Sequence, residues 1–247
     1  LSITSCIGST LKIDGIFTIQ LIGKGAIKSI VADFASNGHL RCFASYNEKE
    51  LNDHKNVKNY NLNHLMPEGH LAFTFFVSNS EKRYQGIVPI QNGSISTSAK
   101  YYFQNSEQID TEFLCFAEDI NGKWSSASIM LQKLPSKDLL HETEENTYNL
   151  SKVFLNSLTK TEALSPYSSM EDTLYKLFNS FEIKINRYLE IIEKCRCNLD
   201  RVEKTIKKLA DEQINDLIYE DGSLEIKCEF CNKIRHFSKS ELKNIRN

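Results

Sequence analysis

Four cysteines crowd near the end of this chain as two close pairs, Cys195-Arg196-Cys197 and Cys228-Glu229-Phe230-Cys231, with the thirty residues 198–227 between them. A thiolate is a soft metal ligand, and four sulfurs at about 2.3 Å make a closed tetrahedral site for zinc. The C-x-x-C pair suits a hairpin tip, where both sulfurs can face one ion. The C-x-C pair gives a tighter chelate than the usual spacing of about two to four residues. The expected cofactor is one Zn2+ per chain, held by Cys195, Cys197, Cys228 and Cys231. Zinc binding could contribute on the order of 10–16 kcal/mol at neutral pH. A thiolate is also the form of cysteine that oxidants attack first. Oxidation could join Cys195 to Cys197 and Cys228 to Cys231, and each disulfide would remove two ligands. The pattern reads as a redox switch whose output is unfolding. The plainer alternatives are incidental thiols, or a permanent zinc staple with no switching role.

Cys6, Cys42 and Cys115 sit among apolar or small residues and read as buried small hydrophobes. Seven cysteines is an odd count, which does not suit a fully paired extracellular framework. A formal charge of −2 offers no basic surplus of the kind that drives nonspecific nucleic-acid binding. Hydrophobic residues at 40% and charged residues at 25% are ordinary globular composition. No uncharged apolar run approaches the ~20 residues needed to cross a bilayer, so no membrane partner is expected. The opening, Leu1 to Leu11, is rich in Ser and Thr and lacks the basic start of a secretory signal.

Three parts must position these groups. Residues 1–136 read as an α+β core domain with a mostly antiparallel sheet. Strands are expected at Ile16 to Ile22, Ile30 to Phe34, Leu40 to Tyr46, His70 to Val77, Gly86 to Ile90, Thr111 to Ile120 and Lys123 to Leu134. Asn37-Gly38 and Asn121-Gly122 supply hairpin turns. Ser96 to Ser106 has helical apolar spacing, and Asn47 to Asn61 is too polar to assign. Residues 137–193 read as a metastable linker region of mixed, mainly helical character. Its polar start, Lys137 to Asn149, reads as a linker, and Tyr148 to Leu158 reads as a helix. Ser168-x-x-Glu171 is a capping box that opens a helix with Leu174, Leu177 and Phe178 on one face. Phe181 to Ile185 alternates like a strand. Residues 194–247 form a small zinc-binding domain: helices marked by Leu199 to Leu209 and Ile214 to Ile218, a hairpin over Ser223 to Phe237, and a cap at Ser238-x-x-Glu241. A domain this small usually needs a staple.

The C-x-C, thirty-residue spacer, C-x-x-C pattern resembles the redox-regulated 33 kDa chaperonin family (heat shock protein 33), a class of bacterial holdase. Gly23-x-Gly25, Tyr84-Gln85-Gly86-Ile87-Val88, Ser106-Glu107-Gln108-Ile109-x-Thr111 and Glu220-Asp221-Gly222 match in the family's order, so the resemblance covers essentially the whole chain. It implies a cytoplasmic homodimer, inactive when reduced and zinc-bound, and no enzyme. Oxidation together with partial unfolding, by heat or hypochlorous acid, would release zinc and destabilise the middle region. Apolar surface would then capture unfolding client proteins without ATP. By motif match, Cys195, Cys197, Cys228 and Cys231 are the zinc ligands and redox-active residues. The family pattern has a few dozen residues ahead of the position of Leu1, so the N-terminal part of the core domain is expected to be missing.

Client contact is expected from the apolar residues Leu174, Leu177, Phe178, Ile183 and Ile185, packed on the core domain until released. Gly23-Lys24-Gly25-Ala26-Ile27-Lys28-Ser29 lacks the glycine that a phosphate loop places before Lys-Ser, so no nucleotide is expected. The alternative function is a zinc-knuckle RNA- or nucleic-acid-binding protein. Residues 194–247 hold 12 Lys and Arg against 10 Asp and Glu, a surplus too small for a phosphate-binding face. A thiol–disulfide oxidoreductase would need its C-x-x-C at a helix start within a βαβ unit; here the pair lies between strand-like segments. His236, near the second pair, reads as a surface residue.

Overall fold

Alternation along the first strand sets the sheet. Phe17, Ile19 and Leu21 are buried on one face, while Thr18 and Gln20 point to the other. The structure is a computed structural model that describes residues 1–12, 14–53, 61–134 and 141–246, with the side chains of 141–144, 211 and 215 left out. It divides into two compact units, Leu1–Ile192 and Glu193–Asn247.

In the first unit, α1 (Ser2–Thr10) leads into β1 (Gly15–Ile22), β2 (Ile27–Ala35) and β3 (His39–Tyr46). Then come α2 (Glu48–Asp53), α3 (Leu62–Leu65), β4 (His70–Val77), β5 (Arg83–Pro89), α4 (Ile95–Tyr102), β6 (Thr111–Ile120) and β7 (Lys123–Gln132). The strands order as β5-β4-β1-β2-β3, each neighbour antiparallel. This is the α+β, antiparallel class the sequence implies. Part of the unassigned stretch after Tyr46 is α2; residues 54–60 lie outside the described residues.

The buried core joins Ile3 and Ile7 of α1 to Phe17, Ile19, Leu21, Leu71, Phe73 and Val88. Phe73 stacks on Tyr102 with ring centroids 4.3 Å apart. The opposite face carries a polar row across the five strands: Gln85, Thr74, Thr18, Asp33 and Arg41 stand in register. Gln85 donates to Thr74 at 3.0 Å, Thr18 to Asp33 at 2.6 Å, and the Arg41 guanidinium to Asp33 at 2.8 Å. The buried Asp33 carboxylate is therefore paired, as burial of a charge requires. β6 and β7 form a separate hairpin, turned at Asn121 (φ 54) and Gly122 (φ 78), two positive values that suit the twist of the strands.

Helix α1 went unread in the sequence. Its signal is a single apolar pair one turn apart, Ile3 and Ile7, diluted by Ser, Thr and Gly. Those small residues let it lie close to the sheet: a Cβ on Gly8 would stand 2.4 Å from the Phe34 ring. Cys42 and Cys115 are exposed rather than buried, and Cys6 is half-buried. Both exposed thiols lie on strands, where alternate positions turn outward whatever their neighbours are.

The middle of the chain holds α5 (His141–Ser157), α6 (Lys160–Ala163) and α7 (Met170–Leu177). Of the expected linker, residues 137–140 lie outside the described residues, and the rest is already helix α5. Among its described side chains, Tyr148, Ser151 and Leu155 are buried, as is Leu158 just beyond its end, while Glu145, Asn146 and Asn149 are exposed. Ion pairs Lys133–Glu145 and Lys160–Glu118, both 2.5 Å, tie this segment to β6 and β7. Exposed pairs of this kind contribute only ~0–1 kcal/mol each. The capping box falls one residue later than expected. Ser169 accepts from the Asp172 N–H at 3.0 Å, and Asp172 accepts from the Ser169 N–H at 3.2 Å. The Glu171 carboxylate is taken by the Tyr188 hydroxyl instead. Phe181 to Ile185 is not a strand: alternation alone does not make one without a ladder partner. The short β8 (Ile192–Glu193) joins the β3 edge, where Ile192 N–H donates to the Gly38 carbonyl at 3.0 Å.

The second unit contains α8 (Leu199–Lys208), α9 (Asp211–Asn215), the hairpin β9 (Leu224–Lys227) and β10 (Ile234–Phe237), and α10 (Lys239–Arg246). Its core is Ile206, Ile214, Leu224, Phe237 and Leu242. Ser238 and Glu241 cap α10 reciprocally, as expected.

Two predictions follow from packing and burial. A Cβ on Gly86 would meet the Tyr102 ring at 2.2 Å, whereas Gly122 faces open space. In urea unfolding, Gly86→Ala is expected to lose about 1–3 kcal/mol, and Gly122→Asn, which meets no neighbouring atom but must hold a φ near 78°, to lose less than that. Burial, then the neighbouring Cys115, pushes the Cys6 thiol up to about 11. The folded state holds that proton more tightly than the unfolded chain does. The associated stability is present below the ordinary thiol range and is lost as pH rises through about 9 to 11. Melting temperature should drop less over that interval in Cys6→Ala than in the parent.

Candidate metal centre

The two cysteine pairs reach their site by different local devices. Cys195 and Cys197 lie just ahead of α8, whose start is fixed by Asn198: its side chain accepts the Arg201 N–H at 2.9 Å. Cys228 and Cys231 lie in the turn of the β9–β10 hairpin. There Cys228 N–H donates to Lys233 at 3.0 Å, Asn232 N–H donates back to Cys228 at 2.8 Å, and Asn232 takes a positive φ of 57°. Register pairing of Lys227 with Ile234 holds the turn shut.

The result brings all four sulfurs within 4.8 Å of one another. Cys195 Sγ lies 3.7 Å from Cys228 Sγ, and Cys197 Sγ lies 3.4 Å from Cys231 Sγ. A tetrahedron with metal–sulfur bonds of ~2.3 Å has sulfur–sulfur edges of about 3.8 Å. The arrangement thus fits a four-coordinate ion, and the four cysteines could hold a metal. Three of the sulfur residues are half-buried and Cys231 is exposed.

Ionisation of the quartet points the same way. Burial works against the Cys195 thiolate, but hydrogen bonds from the Cys197 backbone and from the thiols of Cys197, Cys231 and Cys228 bring it down to about 6. Burial and the same close sulfurs push Cys197 up to about 12. One thiolate forms readily and then opposes the next. A bound cation removes that opposition and leaves its ligands deprotonated.

Sequence reasoning missed one neighbour. Arg235 donates from Nη2 to the Cys197 carbonyl at 2.9 Å. Its signal is strand alternation, which places it on the inward face with Phe237. His236 faces outward, 3.4 Å from Glu225, with its side chain 75% exposed. The residues expected to meet clients lie in the first unit. Leu174, Leu177, Phe178 and Ile183 are half-buried, and Ile185 is exposed. More exposed than any of these are Tyr167 and Met170, at 97% and 76%. Among the described residues no helix is long and apolar enough to cross a membrane.

An antiparallel α+β body followed by a small unit with four convergent cysteines defines a narrow class of protein. The chain belongs to the Hsp33 family: the family model described as "Hsp33 protein" matches residues 1–238. Among curated proteins it is similar to the 33 kDa chaperonin of Shewanella loihica, with 30% identity over 242 residues, covering 98% of this chain and 79% of that one. Similarity to the 33 kDa chaperonin of Shigella flexneri serotype 5b is 27% over 244 residues, covering 99% and 80%. The fold matches the crystal structure of a 33 kDa chaperonin, a heat shock protein 33 homolog, from Thermotoga maritima. There the TM-score is 0.78 at 21% identity, over all of this chain and 82% of that one.

Cobalt titration reads the site directly. The reduced chain should develop the sulfur-to-metal charge-transfer absorption of a tetrahedral thiolate complex. Cys228→Ser should weaken it sharply, and Cys42→Ser, outside the quartet, should leave it unchanged.

Proposed function

We propose that this chain is a redox-regulated, ATP-independent holdase whose metal is zinc, one ion per chain in the reduced state. The observation that carries the reading is the convergence of four sulfurs in a unit whose buried core is five apolar side chains. Family membership supports the chaperone class, and the relatives' name, 33 kDa chaperonin, agrees with it. A site of four thiolates and no open position is the structural kind, and zinc is the ion such a set ordinarily takes.

Cys195, Cys197, Cys228 and Cys231 would hold the zinc, which supplies a crosslink between the start of α8 and the hairpin. On oxidation, Cys195 pairs with Cys197 and Cys228 with Cys231. With hypochlorous acid, each pair of thiols gives one disulfide, water, chloride and a proton. Each disulfide removes two donors from the site. The hairpin and α8 then lack their crosslink, and the small core is left to hold the unit alone. The apolar residues of the middle segment, Leu174, Leu177, Phe178, Ile183 and Ile185, serve as client contacts once that segment loosens. Clients are unfolding proteins, and the working form is a cytoplasmic homodimer.

The test is aggregation of a heat-unfolding client, with the chain either kept reduced or oxidised beforehand at raised temperature. Only the oxidised sample should suppress light scattering, and its zinc content should fall from about one per chain to near zero. Equal protection by both samples would contradict redox control. Protection by neither would contradict the holdase reading.

A further inference from the structure

Arg235 stands opposite Ile226 in the β9–β10 ladder. The residue is half-buried, and one guanidinium nitrogen lies 2.9 Å from the Cys197 peptide oxygen and 4.0 Å from its sulfur. A single planar cation therefore touches both the backbone and the sulfur of one candidate ligand. It does so from the hairpin that carries the other cysteine pair. Arginine stays charged at any working pH. Four thiolates outnumber the charge on a divalent ion, so a loaded cluster keeps a negative surplus. A partly desolvated surplus of this kind calls for a nearby cation.

We infer that Arg235 is a positioning residue for the four-sulfur cluster. It clamps the Cys197 peptide so that the sulfur aims at the other three, and it offsets the charge the ligands gather. Loss of the ion and oxidation of Cys197 are both slowed by it. The inference rests on the zinc reading above, and it assigns the sensitivity of that site to a residue outside the ligand set. The two contributions separate chemically. Lysine keeps the charge without the flat fork, and glutamine keeps a donor without the charge.

The experiment uses the full reduced chain. Zn2+ affinity is measured by competition with a chromophoric chelator, thiol loss is timed under hypochlorous acid, and the Co2+ spectrum is recorded. Arg235→Gln should weaken Zn2+ binding by about 10–100-fold, as loss of an outer-sphere partner does elsewhere. It should also speed thiol loss and shift the sulfur-to-cobalt band. Arg235→Lys should recover most of the affinity. His236→Ala, on the outer face of the same strand, should match the parent in all three measurements. Parental affinity in Arg235→Gln would overturn the inference and leave the zinc reading standing. So would equal losses in Gln and Lys with amide protection along β9 and β10 lost in both, because the effect would then be damage to the hairpin. A parent chain that takes up no Zn2+ would overturn the zinc reading itself, and the role of Arg235 with it.

Discussion

Four sulfurs held within 4.8 Å of one another cannot all be thiolates without a cation among them. Much of the second unit follows from that constraint. With only protons to share, the quartet is split, one thiol ionising early and another held protonated by its neighbours. With a cation shared, the same crowding becomes a crosslink between the approach to α8 and the hairpin turn. The local devices serve this closure: the Asn198 cap, the positive φ of Asn232 and the Lys227–Ile234 register all aim sulfur atoms rather than fill volume.

The two units differ in how far they support themselves. The first has a five-strand antiparallel array, a buried aromatic and aliphatic core, and a polar row that pairs its buried carboxylate. The second, among the described residues, buries Ile206, Ile214, Leu224, Phe237 and Leu242, with Val202, Leu209, Ile218, Ile226 and Ile245 half-buried against them. Small cores of this size seldom balance the conformational entropy of their chain without a staple. In the proposed redox reading, a conformational response to oxidation would therefore begin in the second unit. The middle segment is intermediate, with Leu155 of α5 and Leu158 just after it buried, and exposed Tyr167 and Met170 farther on.

The strands and the cysteine site were largely legible in the sequence. Runs of β-branched, aromatic and apolar residues, punctuated by Asn37-Gly38 and Asn121-Gly122, located β1 to β4, β6 and β7 closely. The cysteine pairs declared themselves because few other demands produce C-x-C and C-x-x-C at that separation. What escaped notice depended on partners that are distant in sequence. Helix α1 is short, and its contact with the sheet runs through small residues such as Gly8, which carry no apolar period. The cap falls at Ser169, reciprocated by Asp172, while Glu171 meets the Tyr188 hydroxyl, a partner seventeen residues along the chain. Phe181 to Ile185 has the pattern of a strand but no ladder partner. Arg235 belongs to no sequence motif; its place beside Cys197 follows from the register of β9 and β10.

The central claim is that shared thiolate ligation, rather than apolar packing, keeps the second unit folded. Amide hydrogen exchange on the full chain, reduced with zinc and then oxidised, tests it most directly. The account predicts that the β9–β10 amides, such as Arg235 and Phe237, lose their protection on oxidation, while Ile19 in β1 and Phe73 in β4 keep theirs. Retained protection at Arg235 and Phe237, with the cysteines paired and zinc gone, would contradict it.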